Sequence, residues 1–336
     1  MNRLDRLRRR MLLGLGTSLV ALIAPGIALR AGAQDATALP GTLRILVGSA
    51  GAGPDLLARI VAEQLRAALG WNVIVENRLG AGGRIAIEAT KNAAPDGLTL
   101  MLLSIELLSL YPLVYKQLRY DPFTDFVPVA GVSSNPYALA VNAKSGPASL
   151  AEFIAWCKAN PRQAAFGTPG LGTPQHFLGT TLGRDAGIEL AHVPYKGGAP
   201  AMQDLLGGQI PAVITAFATV AQQARAGSIR ILAHSGESRV RTAPDIPTFA
   251  ELGFRNVTAE GDFIIATHAR APAETVQRVS AAIVAQVKTD AYRAAVAKLG
   301  QEPLPATPAE VQDRLRRNHA LWADIVKASR FTALEE

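Results

Sequence analysis

The sequence has one cysteine, Cys157, in 336 residues, so no internal disulfide can staple the chain. In "FIAWCKAN" it sits beside Trp156 on a helix-like stretch, where a thiol reads as a packing residue rather than a reactive one. Catalytic signatures are missing too: there is no G-x-S-x-G elbow, no H-E-x-x-H, and no Cys/His group at metal-ligand spacing. The five histidines (His176, His192, His234, His268, His319) are scattered. In "HSGES" a serine follows His234 closely, but sequence neighbours rarely form a nucleophile–base pair. The expectation is therefore no catalytic residue, no metal and no cofactor. Beyond residue 33 no apolar run reaches membrane-spanning length.

The net charge of +7 invites a nucleic-acid reading until the excess is located. Residues 1–33 hold six basic side chains (Arg3, Arg6, Arg8, Arg9, Arg10, Arg30) against Asp5 alone. That leaves only +2 for the rest, too little for an electrostatic footprint on nucleic acid. The same residues read as an export signal: a basic start, an apolar run from Met11 to Leu29 broken by Pro25, and Ala31-Gly32-Ala33 as a cleavage site. The internal Gly14, Gly16 and Pro25 favour cleavage over retention as an anchor. "RRRML" resembles a twin-arginine signal, and the choice between that route and the general secretory one stays open. The expected location is the periplasm, with cleavage near Ala33.

With 336 residues and 49% apolar content, two domains are expected. After the leader, short β-rich runs alternate with amphipathic helices, the mark of an α/β fold with largely parallel sheets. "LRILVGS" leads through a glycine loop into a helix from Pro54, then into the strand "NVIVEN"; "RLGAGGRIAIEATKNA" feeds a second helix and the strand "LTLMLLS". The proline- and aromatic-rich "YPLVYKQLRYDPFTDFVPVAGV" breaks this rhythm and reads as a connection between domains. A second cycle follows: "YALAVNA", a helix behind Ser149, "AAFGTPG", another glycine loop, "IELAHVPYKGG", the helix "PAMQDLLGG", and the strands "PAVITAF" and "IRILAHSG". After "GDFIIATHA" come helices over 273–288, 291–299 and 308–329.

The two glycine loops carry the functional signal. In "GSAGAGPD", Pro54 suits the first helical position and Asp55 complements the helix dipole, while the glycines ahead leave backbone N–H groups unshielded. "TPGLGTPQHF" repeats the design, with Thr173 as N-cap, Pro174 after it, and Gly170 and Gly172 ahead. A helix start of this kind binds anions. If both loops face one cleft, they form a pincer on a small anion such as a dicarboxylate. Each charge-assisted hydrogen bond contributes roughly 1.5–3 kcal/mol, so four or five reach the about 8 kcal/mol of micromolar binding after association costs. The rival reading is a dinucleotide site, with Glu76 as the ribose-binding acid. Against it stand the G-x-x-G-x-G spacing and Pro54 in the turn.

Eight motifs in order, "AGAGPDLLAR", "VENRLGAGG", "APDGLTL", "YDPFTDFVPVAGV", "ANPRQAAFGTPGLGTPQHFLG", "HVPYKGGAPAMQDLLGGQ", "APDIPTFAELG" and "LGQEPLPATPAEV", make the chain resemble the substrate-binding proteins of the tripartite tricarboxylate transporter system, the Bug receptors. The resemblance implies a two-lobed, type II periplasmic binding-protein fold, each lobe a mixed, mostly parallel sheet flanked by helices. Lobe one would be residues 34–135 plus 262–336, and lobe two 136–261. It also implies a small carboxylate ligand and membrane permease subunits as partners; the expected state is a monomer, and the charge balance already excludes a nucleic-acid partner. The implied ligand-binding residues are Ser49, Ala50, Gly51, Gly53, Asp55, Ala81, Gly82 and Ser104 on one side. On the other are Thr168, Gly170, Gly172, Thr173, His176, Tyr195, Lys196, Gly197 and Thr215. Asp55 could orient its loop or select an amino or hydroxyl group; Lys196 could clamp a carboxylate or stay solvated. One departure stands out: where the family's first loop carries prolines and an aromatic, this chain has Gly48, Ser49 and Ala50.

Overall fold

The structure, a computed structural model, describes residues 41–51 and 53–335; the expected export signal lies outside them. Strand β1 (Thr42–Val47) is buried on both faces, with Leu43, Ile45, Leu46 and Val47 almost inaccessible, as suits a strand covered by helices on each side. Helix α1 (Gly53–Leu69) follows and lays down a buried stripe of Leu57, Ala58, Val61, Ala62 and Leu65. The chain continues through β2 (Asn72–Asn77), α2 (Arg84–Lys91), β3 (Thr99–Ser104), the short helices α3 (Glu106–Ser109) and α4 (Tyr111–Val114), and β4 (Phe126–Ser134).

It then passes to a second set of strands. These are β5 (Tyr137–Asn142), β6 (Ala165–Thr168), β7 (Ala191–Pro194), β8 (Ala212–Ala216) and β9 (Ile229–His234), with helices α5 (Leu150–Ala159), α6 (Pro174–Ala186), α7 (Gly198–Leu206) and α8 (Phe217–Arg225) between them. Finally it returns as β10 (Phe263–His268), α9 (Ala273–Val287), α10 (Asp290–Lys298), β11 (Glu302–Pro303) and α11 (Pro308–Ser329). Helix α11 opens with a full capping box, Thr307 against Glu310.

Two sheets result, ordered β11-β4-β10-β3-β1-β2 and β7-β6-β8-β5-β9. Following the pairings, β1, β2, β3 and β4 run one way, β10 and β11 the other. In the second sheet β6, β7, β8 and β9 share a direction and β5 opposes it. The reversed strands within the sheets, β10 and β5, are each the first strand after the chain has crossed from the other sheet. Entry from the opposite end reverses the strand. No described helix is long and apolar enough to cross a membrane.

The structure corrects one reading of the sequence. "FVPVAGV" belongs to β4, inside the first sheet, and the crossing comes only after it. Pro128, one of the prolines of that stretch, sits next to a register shift between β4 and β10, where a ladder tolerates a residue without an N–H. Helix α8 was also missed, because Phe217 starts it directly off β8 with no side-chain cap.

The two crossings, near residues 134–137 and 259–262, lie side by side. Pro136 and Glu260 form an antiparallel bridge, Gly261 N–H donates to Asn135 O at 3.2 Å, and Ser235 N–H to Tyr137 O at 2.8 Å. Helix α11 serves both cores. Val311 and Leu315 pack with Met101, Leu103 and Ile264 of the first sheet, while Trp322 and Ile325 join Phe166 and Ile214 of the second sheet and Phe177 of α6.

Candidate functional site

Ligands in open α/β sheets bind beyond the carboxyl ends of the parallel strands, and both glycine loops lie there. On the first sheet, β1 ends into Gly48, Ser49, Ala50 and Gly51, ahead of α1. A Cβ on Gly48 would stand 2.5 Å from the Cα of Gly83, so only glycine lets this loop touch the start of α2. The touching turn is left-handed throughout: Gly80, Ala81, Gly82 and Gly83 all have positive φ, and for Ala81 that conformation is strained.

Asp55 fixes the first loop from within. Its carboxylate is 4% exposed and accepts from Gly51 N–H at 3.1 Å, from Arg59 at 3.1 and 3.2 Å, and from Asn77 Nδ2 at 2.8 Å. Asn77 also donates to Ser49 O at 2.5 Å. Burial pushes the Asp55 carboxyl up, but the hydrogen bonds from Asn77, Arg59 and Gly51 together outweigh it and hold it below its ordinary value. With every acceptor direction used inside the protein, the geometry is that of a loop anchor. Asn77 was not among the expected site residues. Its one sequence signal was its place at the end of "NVIVEN", which pairs in parallel with β1 and brings Asn77 level with Val47.

Ser49, Gly82 and Ser104 come together around a cavity of about 280 Å³, which Leu107 and Phe263 help to line. Ser104 hydrogen-bonds the carboxylate of Glu106, a buried group that also accepts from Tyr137 Oη at 2.9 Å. Burial raises the Glu106 carboxyl to about 7, against the hydrogen bonds from Ser104 and Tyr137, with the nearby Asp262 adding to the rise.

On the second sheet, β6 ends at Thr168. Its Oγ1 lies 3.0 Å from Gly170 O and 2.6 Å from His192 Nε2, and it receives Gly170 N–H at 3.3 Å. Thr173 caps α6, accepting from His176 N–H at 3.4 Å while donating to Gly170 O at 2.8 Å. Gly172, at φ 72, donates to His176 Nδ1 at 3.4 Å. Several of the donors that looked bare in the sequence are thus occupied within the protein. Histidines that looked scattered also meet: the rings of His176 and His192 stack at 4.0 Å, because β7 pairs with β6 and sets His192 level with Phe166. Burial pushes both down to about 4, and His176 lowers His192 further, so both are neutral at pH 7 and supply no cation.

The turn after β7 lies along the same loop. Tyr195 N–H donates to Thr168 O at 2.9 Å and Gly197 N–H to Pro169 O at 3.0 Å. The Tyr195 hydroxyl points to Asp204, 2.8 Å away, and burial together with that carboxylate raises it to about 12. Lys196 is exposed and, among the described residues, makes no ion pair. Thr215, at the end of β8, is buried, and its Oγ1 would lie 3.2 Å from a Cβ on Gly198. The expected residues therefore form two clusters, one per sheet.

Glu76, the acid of the dinucleotide reading, is taken by Arg44 at 2.6 and 3.0 Å and by Arg78 at 3.0 Å. The Arg44 hydrogen bonds hold it below its ordinary value, so it has no free edge for a ribose. Among the described residues no group of three or more His, Cys, Asp or Glu could hold a metal.

Residues 57–329 match the family model of the tripartite tricarboxylate transporter family receptor. The chain is 34% identical over 282 residues to protein BugT of Bordetella pertussis, covering 82% of this chain and 85% of BugT. It is 38% identical over 239 residues to a UPF0065 protein of Bordetella bronchiseptica, covering 70% of this chain and 71% of that one. Among solved structures it resembles periplasmic binding protein BugD, with a TM-score of 0.76 and 29% identity over 87% of this chain and 99% of that one. It also resembles Rpa4515 of R. palustris with adipate, at 0.80 and 28% over 88% and 100%.

Proposed function

The chain belongs to the tripartite tricarboxylate transporter receptor family, and we propose that it captures a small carboxylate between its two lobes and delivers it to membrane permease subunits of that system. In this reading residues 34–135 with 262–336 form one lobe and 136–261 the other. The leader of residues 1–33 directs export to the periplasm and is cleaved near Ala33, and the mature protein works as a monomer without catalysis.

One observation carries the proposal: each sheet presents a glycine-lined helix start at the carboxyl ends of its parallel strands, and the sheets are joined by two hydrogen-bonded crossings. Such a pair of crossings lets one lobe rotate against the other, and contacts from both lobes to one solute favour the closed state. The loop of Ser49 and the turn at Gly82 would form the first jaw, and the loop over 168–173 with the turn over 195–198 the second. Asp55, Asn77 and the stacked histidines hold the loops in shape. Solved relatives support the ligand class, Rpa4515 having been determined with adipate.

A melting-shift panel of mono-, di- and tricarboxylates, amino acids and aromatic acids, with NAD and NADP as controls, tests this. A ligand at 100 times its Kd stabilises the native state by about 2.7 kcal/mol, equivalent to several degrees. At least one carboxylate should produce that shift and neither nucleotide should. A flat response to every carboxylate would overturn the reading.

A further inference from the structure

The first jaw is more specific than "carboxylate". Its cavity has no charged residue in its lining. The walls come from Val47, Pro54, Ala86, Ile87, Leu103 and Leu107, with Phe263 at the edge; the polar side chains are those of Ser49 and Ser104 alone. The Ser104 hydroxyl is already bound to Glu106. The Ser49 Oγ is shielded from solvent and has no partner in the protein.

Three physical points bear on what can enter. A cavity of about 150 Å³ lined by aliphatic and aromatic side chains admits benzene, and this one, at about 280 Å³, has room for a ring or a chain of similar bulk. A carboxylate pushed among these walls would lose its hydration with no cation to replace it, a cost of several kcal/mol. A multiply charged solute such as malate or citrate therefore gains little here, whereas an apolar body gains by leaving water. The anionic end belongs where the lining offers polar groups, at the unpartnered Ser49 hydroxyl beside the Gly82 turn.

We propose that this receptor is specialised for monocarboxylates with an apolar body of about six to nine carbon atoms, buried in the cavity between the first loop, α2 and β3. The inference rests on the receptor reading above and narrows its substrate class. The apolar body fills a space bounded on one side by small residues: Gly48, Gly82, Gly83 and Ala86 all line it.

Calorimetric titration of the purified receptor with acetate, butyrate, hexanoate and octanoate, and with benzoate, 3-phenylpropionate, malate and citrate, tests the idea. Affinity should climb about fourfold per methylene up to hexanoate, and hexanoate or benzoate should exceed malate at least tenfold. Two variants fill the space: Ala86→Leu from the buried face of α2, and Leu107→Phe from a half-buried position better able to accept bulk. Either folded variant should weaken hexanoate and benzoate at least tenfold more than it weakens acetate. A flat chain-length series with malate or citrate tightest would overturn the apolar specialisation and leave the receptor reading standing. Binding by none of the carboxylates would overturn both.

Discussion

The two glycine loops do the same job with opposite chemistry. The first is tied down by a buried carboxylate that gathers Gly51, Arg59 and Asn77 around it. The second is tied down by neutral groups: Thr168, Thr173 and a stacked pair of uncharged imidazoles. Backbone N–H groups bared by glycine need acceptors wherever solvent is shut out, and either an ion or a neutral ring nitrogen can serve. The difference shows in how each loop should respond to acid and to substitution.

The largest effect should come from Asp55→Ala. Removing the carboxylate strands the Asn77 amide and the Gly51 N–H and unpairs Arg59, which is half exposed and rehydrates. Denaturant unfolding should show a loss of about 3 kcal/mol, and carboxylate affinity should fall with it. If the loss is under about 0.5 kcal/mol, the carboxylate is not what holds the first loop.

Acid should then separate the loops. His176 and His192 sit at about 4 in the folded protein, below the ordinary 6.5, so between those values the unfolded chain binds more protons and stability falls as pH falls. Each histidine should cost roughly 2 kcal/mol from pH 6.5 to 4.5, partly offset by Glu106, with amide exchange rising first around Gly170 and Gly172. Asp55 is held below its ordinary 3.8, and its contribution is lost only at lower pH. Earlier exchange at Gly51 would reverse the comparison.

Between the loops, Glu106 works against the histidines. Its carboxyl is raised from 4.5 to about 7, so the native state binds the extra proton and stability falls as pH rises across that window. Glu106→Gln should remove this slope and gain about 1 kcal/mol at pH 8 relative to the parent chain, exposing the histidine dependence beneath it. An unchanged pH profile would show that Glu106 does not titrate there. The smallest effect should be Thr173→Ala, about 0.5 kcal/mol, because its cap hydrogen bond is long at 3.4 Å.

Much of this architecture could be read from local pattern. The alternation of buried strands with amphipathic helices gave the α/β class, since a helix stripe and a covered strand each leave a period in the residues that form them. The glycine–proline helix starts at Pro54 and Pro174 were legible for the same local reason. The proline- and aromatic-rich stretch misled, because the register shift that accommodates Pro128 in β4 depends on β10, more than 130 residues downstream. The role of Asn77 was hidden because it depends on β2 lying beside β1. His176 and His192 looked unrelated because their stacking follows from the register of β7 on β6.

By itself, then, the sequence determined the helix starts at Pro54 and Pro174 and the glycine loop ahead of each, because these follow from the φ preferences of glycine and proline and from the helix dipole. Tertiary structure alone decided which donors are already satisfied, that the stacked histidines are held neutral, and that the first glycine loop borders an uncharged cavity. Those properties arise where residues far apart in the chain share a space closed to water, and there distance and burial set the chemistry.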